Sequence, residues 1–301
     1  MPSHPPIYTL DLNFQGIPRT IAAYLIPHAR GAVLVECGPG STLPALREGL
    51  AAHGLTPAEV TDVLLTHIHL DHAGAAGWLA RQGARVHVHH VGAPHLLNPE
   101  KLLTSAGRIY GDLMDQLWGE FLPVPGERIN ILHDNDEIKI EELVFRALDT
   151  PGHAYHHITY LLDGVCFSGD IGGVRLPGMR ALRLPTPLPE FHLEKWRASI
   201  QRLAQENITR IAATHFGIHS DAGWHLDTLE RTLDEIETWA EAVMSAAPTR
   251  DEFRQQFTAW MQDNSVKAGM DSRMIAAYDV AIASQMSADG IWRYWNKFRG
   301  G

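Results

Sequence analysis

Within LLTHIHLDHAG, residues 64–74, three histidines and an aspartate fall inside six positions: His67, His69, Asp71 and His72. Imidazole and carboxylate are ordinary ligands of divalent metals. His67 and His69 alternate along an extended segment, so their rings can project to one side and meet one ion. Asp71 and His72 come after the turn and can serve a second ion. This nitrogen and oxygen set suits zinc, and also iron or manganese. A catalytic zinc commonly takes three protein ligands and keeps a place for water, so four neighbouring residues cannot complete two such sites. Three later stretches offer the remainder: DTPGHAYHH brings His153, CFSGDIGG brings Asp170 and IAATHFG brings His215. A lone histidine is ordinarily a core or surface residue. Seven residues of ligand type, gathered in four stretches, point to a metal centre.

The elements that must position these residues follow from periodicity and punctuation. IYTLDLNF, TIAAYLI and AVLVECG are apolar, β-rich segments broken by Gly16, Pro18, Pro27 and Gly31. A helix pattern, a short strand TDVLLT, a second helix and the strand ARVHVHH come next, the alternation of a layered α/β fold. RINIL, ELVFRAL, HITYLL, GVCFSG and RIAATH read as further strands. Each candidate ligand therefore stands at a strand end, where α/β folds place chemistry. Beyond Phe216 no segment reads as a strand, and four helix patterns follow. The division expected is an α/β catalytic domain over 1–217 and a helical C-terminal region over 218–301.

Composition narrows the function classes. The chain has 301 residues, 45% of them hydrophobic, enough for a sizeable core. A formal net charge of −10 disfavours general nucleic-acid binding. Two cysteines, Cys37 and Cys166, make no CxxC pair and suit a reducing compartment. The opening MPSHPPIYTL lacks the basic and apolar regions of a signal peptide, and no run approaches a membrane span. A cytoplasmic protein acting on a small molecule, with no nucleic-acid or membrane partner, is the expectation. The final IWRYWNKF helix could also serve a homodimer contact.

Taken in order, HIHLDH, TPGH, SGD and TH resemble the signature of the metallo-β-lactamase superfamily. The resemblance implies a four-layer αβ/βα sandwich with its metal site at one edge. The helical C-terminal extension resembles that of glyoxalase II, a thioester hydrolase. One ion is implied on His67, His69 and His153 and another on Asp71, His72 and His215, with Asp170 as the bridge. The implied chemistry is hydrolysis by a metal-bound hydroxide, with Asp71 orienting the nucleophile and accepting its proton. Two divalent ions are expected, zinc being favoured, and the expected substrate is a small ester or thioester. Other readings stay open: an iron-dependent persulfide dioxygenase, a lactonase or phosphodiesterase, and a metal-binding protein without catalysis. Against the last, no ligand of the set is missing. Three departures bear on the branch. The region from Asp221 is acidic rather than an obvious glutathione cradle. Gly173 stands where quorum-quenching lactonases carry tyrosine, and Ile68 where flavodiiron proteins need a carboxylate.

Further candidates lie around these motifs. Glu36, at a strand end in LVECG, and His157 are candidates to support the ligands. Residues 93–122 and 174–191 interrupt the regular body as lids and binding loops do. The first carries an apolar stripe including Tyr110 and Trp118. The second carries Arg175, Arg180 and Arg183. The stripe is expected to cover the apolar part of an organic acid while an arginine meets its carboxylate.

Overall fold

The computed structural model describes residues 5–300. Two six-stranded sheets form the centre. The first runs in chain order through β1 (Tyr8–Asp11), β2 (Ala22–His28), β3 (Gly31–Val35), β4 (Val60–Leu64), β5 (Arg85–His89) and β6 (Ile129–Leu132). The second runs through β7 (Glu137–Ile140), β8 (Leu143–Asp149), β9 (Ile158–Leu162), β10 (Val165–Phe167), β11 (Arg210–Ala213) and β12 (Gly217–His219). From β3 to β6 the pairs are parallel, and β10 pairs β11 in parallel. Parallel neighbours need crossover connections, usually helical. These are supplied by α1 (Leu43–Ala52), by α2 (Leu70–Ala73) with α3 (Ala76–Gln82), and by α4 (Ala93–Leu97), α5 (Glu100–Tyr110) and α6 (Met114–Trp118). In the second sheet the crossover is α7 (Leu193–Ala204).

The alternation of side chains along each strand builds the layers. In β3, Val33 and Val35 point into a core shared with Phe145, Tyr160 and Phe167, while Ala32 and Leu34 point outward to Leu46, Leu50 and Leu79. In β10, Val165 and Phe167 face the same central core, whereas Cys166 joins Trp196, Ile200 and Leu229 outside it. The result is helix, sheet, sheet, helix, the four-layer sandwich expected. Both cysteines are buried and free.

After β12 come α8 (Ala222–Met244), α9 (Arg250–Lys267), α10 (Ser272–Ala281) and α11 (Ser284–Phe298). Trp239 of α8 packs on Phe253 and Phe257 of α9, and Asp289 of α11 accepts hydrogen bonds from Arg250 and Arg254. Tyr278 of α10 is buried against the central core. Strand β12 lies beyond the point where the sequence shows strand character. Three residues are too few for a period of two to register, and antiparallel pairing with β11 supplies the order instead. No helix of the described residues is long and apolar enough to cross a membrane.

Candidate metal centre

Strands deliver the candidate ligands to one edge of the sandwich. His67 and His69 follow β4, and the short α2 presents Asp71 and His72. His153 follows β8, Asp170 sits in a 3-10 turn after β10, and His215 follows β11. The glycines beside them are steric requirements. Gly169 has φ +51°, and a Cβ there would stand 2.5 Å from Thr66 Oγ1 and 2.6 Å from His157 Nε2. Gly152, before His153, touches Trp196 so closely that a Cβ would lie 2.4 Å from its Cα.

Two donor sets that share no residue converge, and Glu36, His67 and His72 form a third close group. The ligand atoms of His67, His69 and His153 lie within 4.8 Å of one another, and so do those of Asp71, His72 and His215. His69 Nδ1 is 3.0 Å from His67 Nε2 and 2.9 Å from His153 Nε2. Asp71 Oδ2 is 3.4 Å from both His72 Nε2 and His215 Nε2. Asp170 stands between the sets. Its Oδ1 is 3.3 Å from His72 Nε2 and 3.5 Å from His215 Nε2, while its Oδ2 is 3.4 Å from His153 Nε2.

The outer sides of the rings fix which nitrogen faces inward. His153 Nδ1 is 2.8 Å from the Pro185 carbonyl, and His215 Nδ1 is 2.8 Å from the Thr20 carbonyl. A carbonyl only accepts, so each Nδ1 carries the proton and each Nε2 offers a lone pair to the centre. Glu36 does the same for His72 from 3.1 Å. Its buried carboxylate also accepts from the hydroxyls of Thr66 and Thr214. His157 is buried with Nδ1 on Thr150 Oγ1, at 2.9 Å, and stacks obliquely near His67. Glu36 and His157 thus lie where they can support the ligand rings.

Electrostatics match a cation site. Burial, reinforced by neighbouring imidazoles, pushes His67 well below the usual histidine range, and burial pushes His153 down to about 4. Both are neutral, the form that ligates. For His72 burial opposes charge, but Asp71, Asp170 and Glu36 outweigh it and hold its pKa well up. His72 Nε2 and Asp170 Oδ1 are buried and complete no hydrogen bond among the described residues. Converging imidazole lone pairs, two carboxylates and unpaired buried polar atoms are what divalent ions would satisfy. The residues fit such ions, and their nitrogen and oxygen donors accept zinc, iron or manganese alike.

A family model described as the metallo-beta-lactamase superfamily matches residues 16–215, a span that holds every one of these donors. The chain belongs to the metallo-β-lactamase superfamily. Among its relatives, a metallo-beta-lactamase fold-containing protein of Sulfurisphaera tokodaii is 28% identical over 162 residues, 52% of this chain and 61% of that protein, less than two thirds of its length. A hydroxyacylglutathione hydrolase of Xylella fastidiosa is 29% identical over 250 residues, covering 81% of this chain and 76% of the enzyme. A metallo-beta-lactamase family protein from Thermus thermophilus shares the fold with a TM-score of 0.71 at 21% identity, over 97% of this chain and 93% of its own. That overlap takes in the C-terminal helices as well as the sandwich.

In this superfamily member a cavity of about 460 Å³ opens above the donors, with His69, Asp71, His153 and Asp170 in its floor. Tyr110 and Trp118 line it, as the apolar stripe suggests. The arginines do not. Arg175 is buried and donates to both oxygens of Asp221, at 2.7 and 3.0 Å. Arg180 donates to the same carboxylate at 3.3 Å, and both guanidinium groups lie over Trp224. Arg183 is buried on Asp279 and Ser265 at 2.8 Å each. Their expected place beside a substrate carboxylate is therefore corrected: they hold the 174–191 loop to the C-terminal helices. Val280, Ile282 and Met286 line the cavity from the C-terminal segment, a role that no motif in the sequence signals. His156, buried 3.3 Å from Glu190, also lines it. The histidine-rich run around His153 was its one sequence signal.

Proposed function

We propose that this chain is a metal-dependent hydrolase of a carboxylic ester or thioester, working with two divalent ions. The observation that carries the reading is Asp170, whose two oxygens face different histidine sets at the floor of one cavity. His67, His69 and His153 would hold one ion, and Asp71, His72 and His215 the other. The chemistry such ions supply is Lewis acidity, which acidifies water and polarises a carbonyl oxygen. This chain's own residues do the rest. The carbonyls of Pro185 and Thr20 keep the protons of His153 and His215 on the outer nitrogens. Glu36 orients His72. Asp71 reaches the cavity surface, where its carboxylate orients the attacking water and takes its proton. The likeness to hydroxyacylglutathione hydrolases supports a thioester among the candidate substrates.

Elemental analysis of the purified protein, paired with turnover of thioester, lactone and phosphodiester panels, tests this. About two ions per chain, a count that follows from three protein ligands each, with hydrolysis of an ester or thioester is the expected result. One iron per chain, with oxygen consumed in place of hydrolysis, would replace the reading with a persulfide dioxygenase.

A further inference from the structure

The cavity above the donors is chemically lopsided. Its walls include Leu102 and Ile109 of α5, Trp118 of α6, and Val280, Ile282 and Met286 from the C-terminal segment. Tyr110 joins the two sides, its hydroxyl 3.5 Å from Met286 Sδ. Of the described residues lining the cavity, Lys101 is the one lysine or arginine, and it is exposed. Glu190 and Asp279 add carboxylates to the same lining. Arg175 is buried on Asp221, which does not line the cavity, and Arg183 is buried on Asp279, so its charge is already matched by a lining carboxylate.

A predominantly apolar cavity of this size takes up apolar ligand surface. An anionic group placed against Glu190 would meet like charge, and with Arg183 already matched by Asp279 the exposed Lys101 is the one lysine or arginine of the lining left to offset it. We propose that the acyl half of the substrate is a medium-length apolar chain, and that Val280, Ile282 and Met286 set its length. This rests on the hydrolase reading and narrows it to acyl thioesters whose acyl group is hydrocarbon rather than a small polar hydroxy acid. In the reaction water adds to the carbonyl carbon, a C–O bond forms and the C–S bond breaks. The sulfur leaves as a thiol with one proton of the water, and the acid departs as carboxylate with release of the other. The C-terminal helices, on this account, are the part of the molecule that measures the substrate.

The test is a series of pantetheine thioesters from acetyl to decanoyl, assayed with the metal-loaded full chain beside S-lactoylglutathione. Specificity, kcat/KM, should rise about fourfold per methylene (~0.8 kcal/mol) until the cavity is filled. Met286→Trp should shift the optimum to shorter chains and lower the decanoyl-to-acetyl ratio at least tenfold. Val280→Phe serves the same purpose if the first variant fails to fold. Calorimetric titration with decanoate and acetate reads the cavity without turnover: decanoate should bind more tightly, and the tryptophan variant should erase the difference. A flat or falling chain-length profile with measurable hydrolysis, or a preference for S-lactoylglutathione, overturns the apolar-chain proposal and leaves the hydrolase reading standing. Absence of hydrolysis with every ester and thioester overturns both.

Discussion

Glu36 Oε1 lies 3.1 Å from His72 Nδ1, on the opposite side of the ring from the Nε2 that faces Asp71 and Asp170. The carboxylate is buried in a backbone position with φ 65°, and its other contacts are to Thr66 and Thr214. Such a contact sets both the tautomer and the orientation of a ligand imidazole. Glu36→Gln keeps the shape but removes the charge that holds the Nδ1 proton. Its metal affinity should fall by about 10–100-fold, the usual cost of removing such a support. Competition with a chromophoric chelator measures this, and an unchanged affinity would leave Glu36 a packing residue.

Asp170→Ala should lose metal from both donor sets rather than one, because its oxygens face both. Metal content after gel filtration, measured beside the variant His153→Ala, separates the cases. Loss of about one ion in Asp170→Ala would show that the carboxylate serves a single set.

Cys166→Ala should keep its activity and lose stability by about 1 kcal/mol, the order expected for a small buried truncation. The thiol packs in the outer helix layer, away from the donors, and burial pushes its pKa well up, so it offers no thiolate. Inactivity of a folded, fully metallated variant would bring a thiol mechanism into consideration.

Arg175→Ala should destabilise the fold by about 1–3 kcal/mol, below the cost of breaking a wholly buried pair because Asp221 keeps solvent contact. Urea unfolding gives the value. The pair also predicts a pH dependence. Hydrogen bonds from Arg175 hold Asp221 down to about 2 in the folded chain, against about 3.9 for an unfolded aspartate. A lowered folded pKa stabilises the native state above the unfolded value, and that stability is lost as pH falls from about 4 through about 2. The stability gap between the parent protein and Asp221→Asn should therefore shrink across this window. A constant gap would mean the ion pair is not its source.

The donor residues are legible in the sequence because each closes a strand with a short, strict motif. His67 and His69 announce themselves by alternation, Asp170 and His153 by the glycine that a close neighbour demands. The apolar stripe is legible in part: Tyr110, Met114, Leu117, Trp118 and Phe121 recur at helical spacing, but Tyr110 ends α5, Met114–Trp118 form α6 and Phe121 lies beyond both. What such a stripe faces is not. Periodicity reports that a side is buried, and the opposite wall here comes from far downstream, as Tyr110 meeting Met286 across 176 positions illustrates. The arginines fail for the same reason. Charge beside proline looks available until Asp221 and Asp279, 46 and 96 residues downstream of their partners, claim it.

The contact between His215 Nδ1 and the Thr20 carbonyl joins positions 195 residues apart. As the chain leaves the ribosome, the HIHLDH cluster emerges with only part of its donors, and neither three-residue set is whole until His153 and then His215 follow. On the two-ion reading, full metal occupancy therefore waits for His215, the last of the donors to be made. Nascent chains arrested before His215 should compete poorly for metal, because one donor set still lacks its third residue.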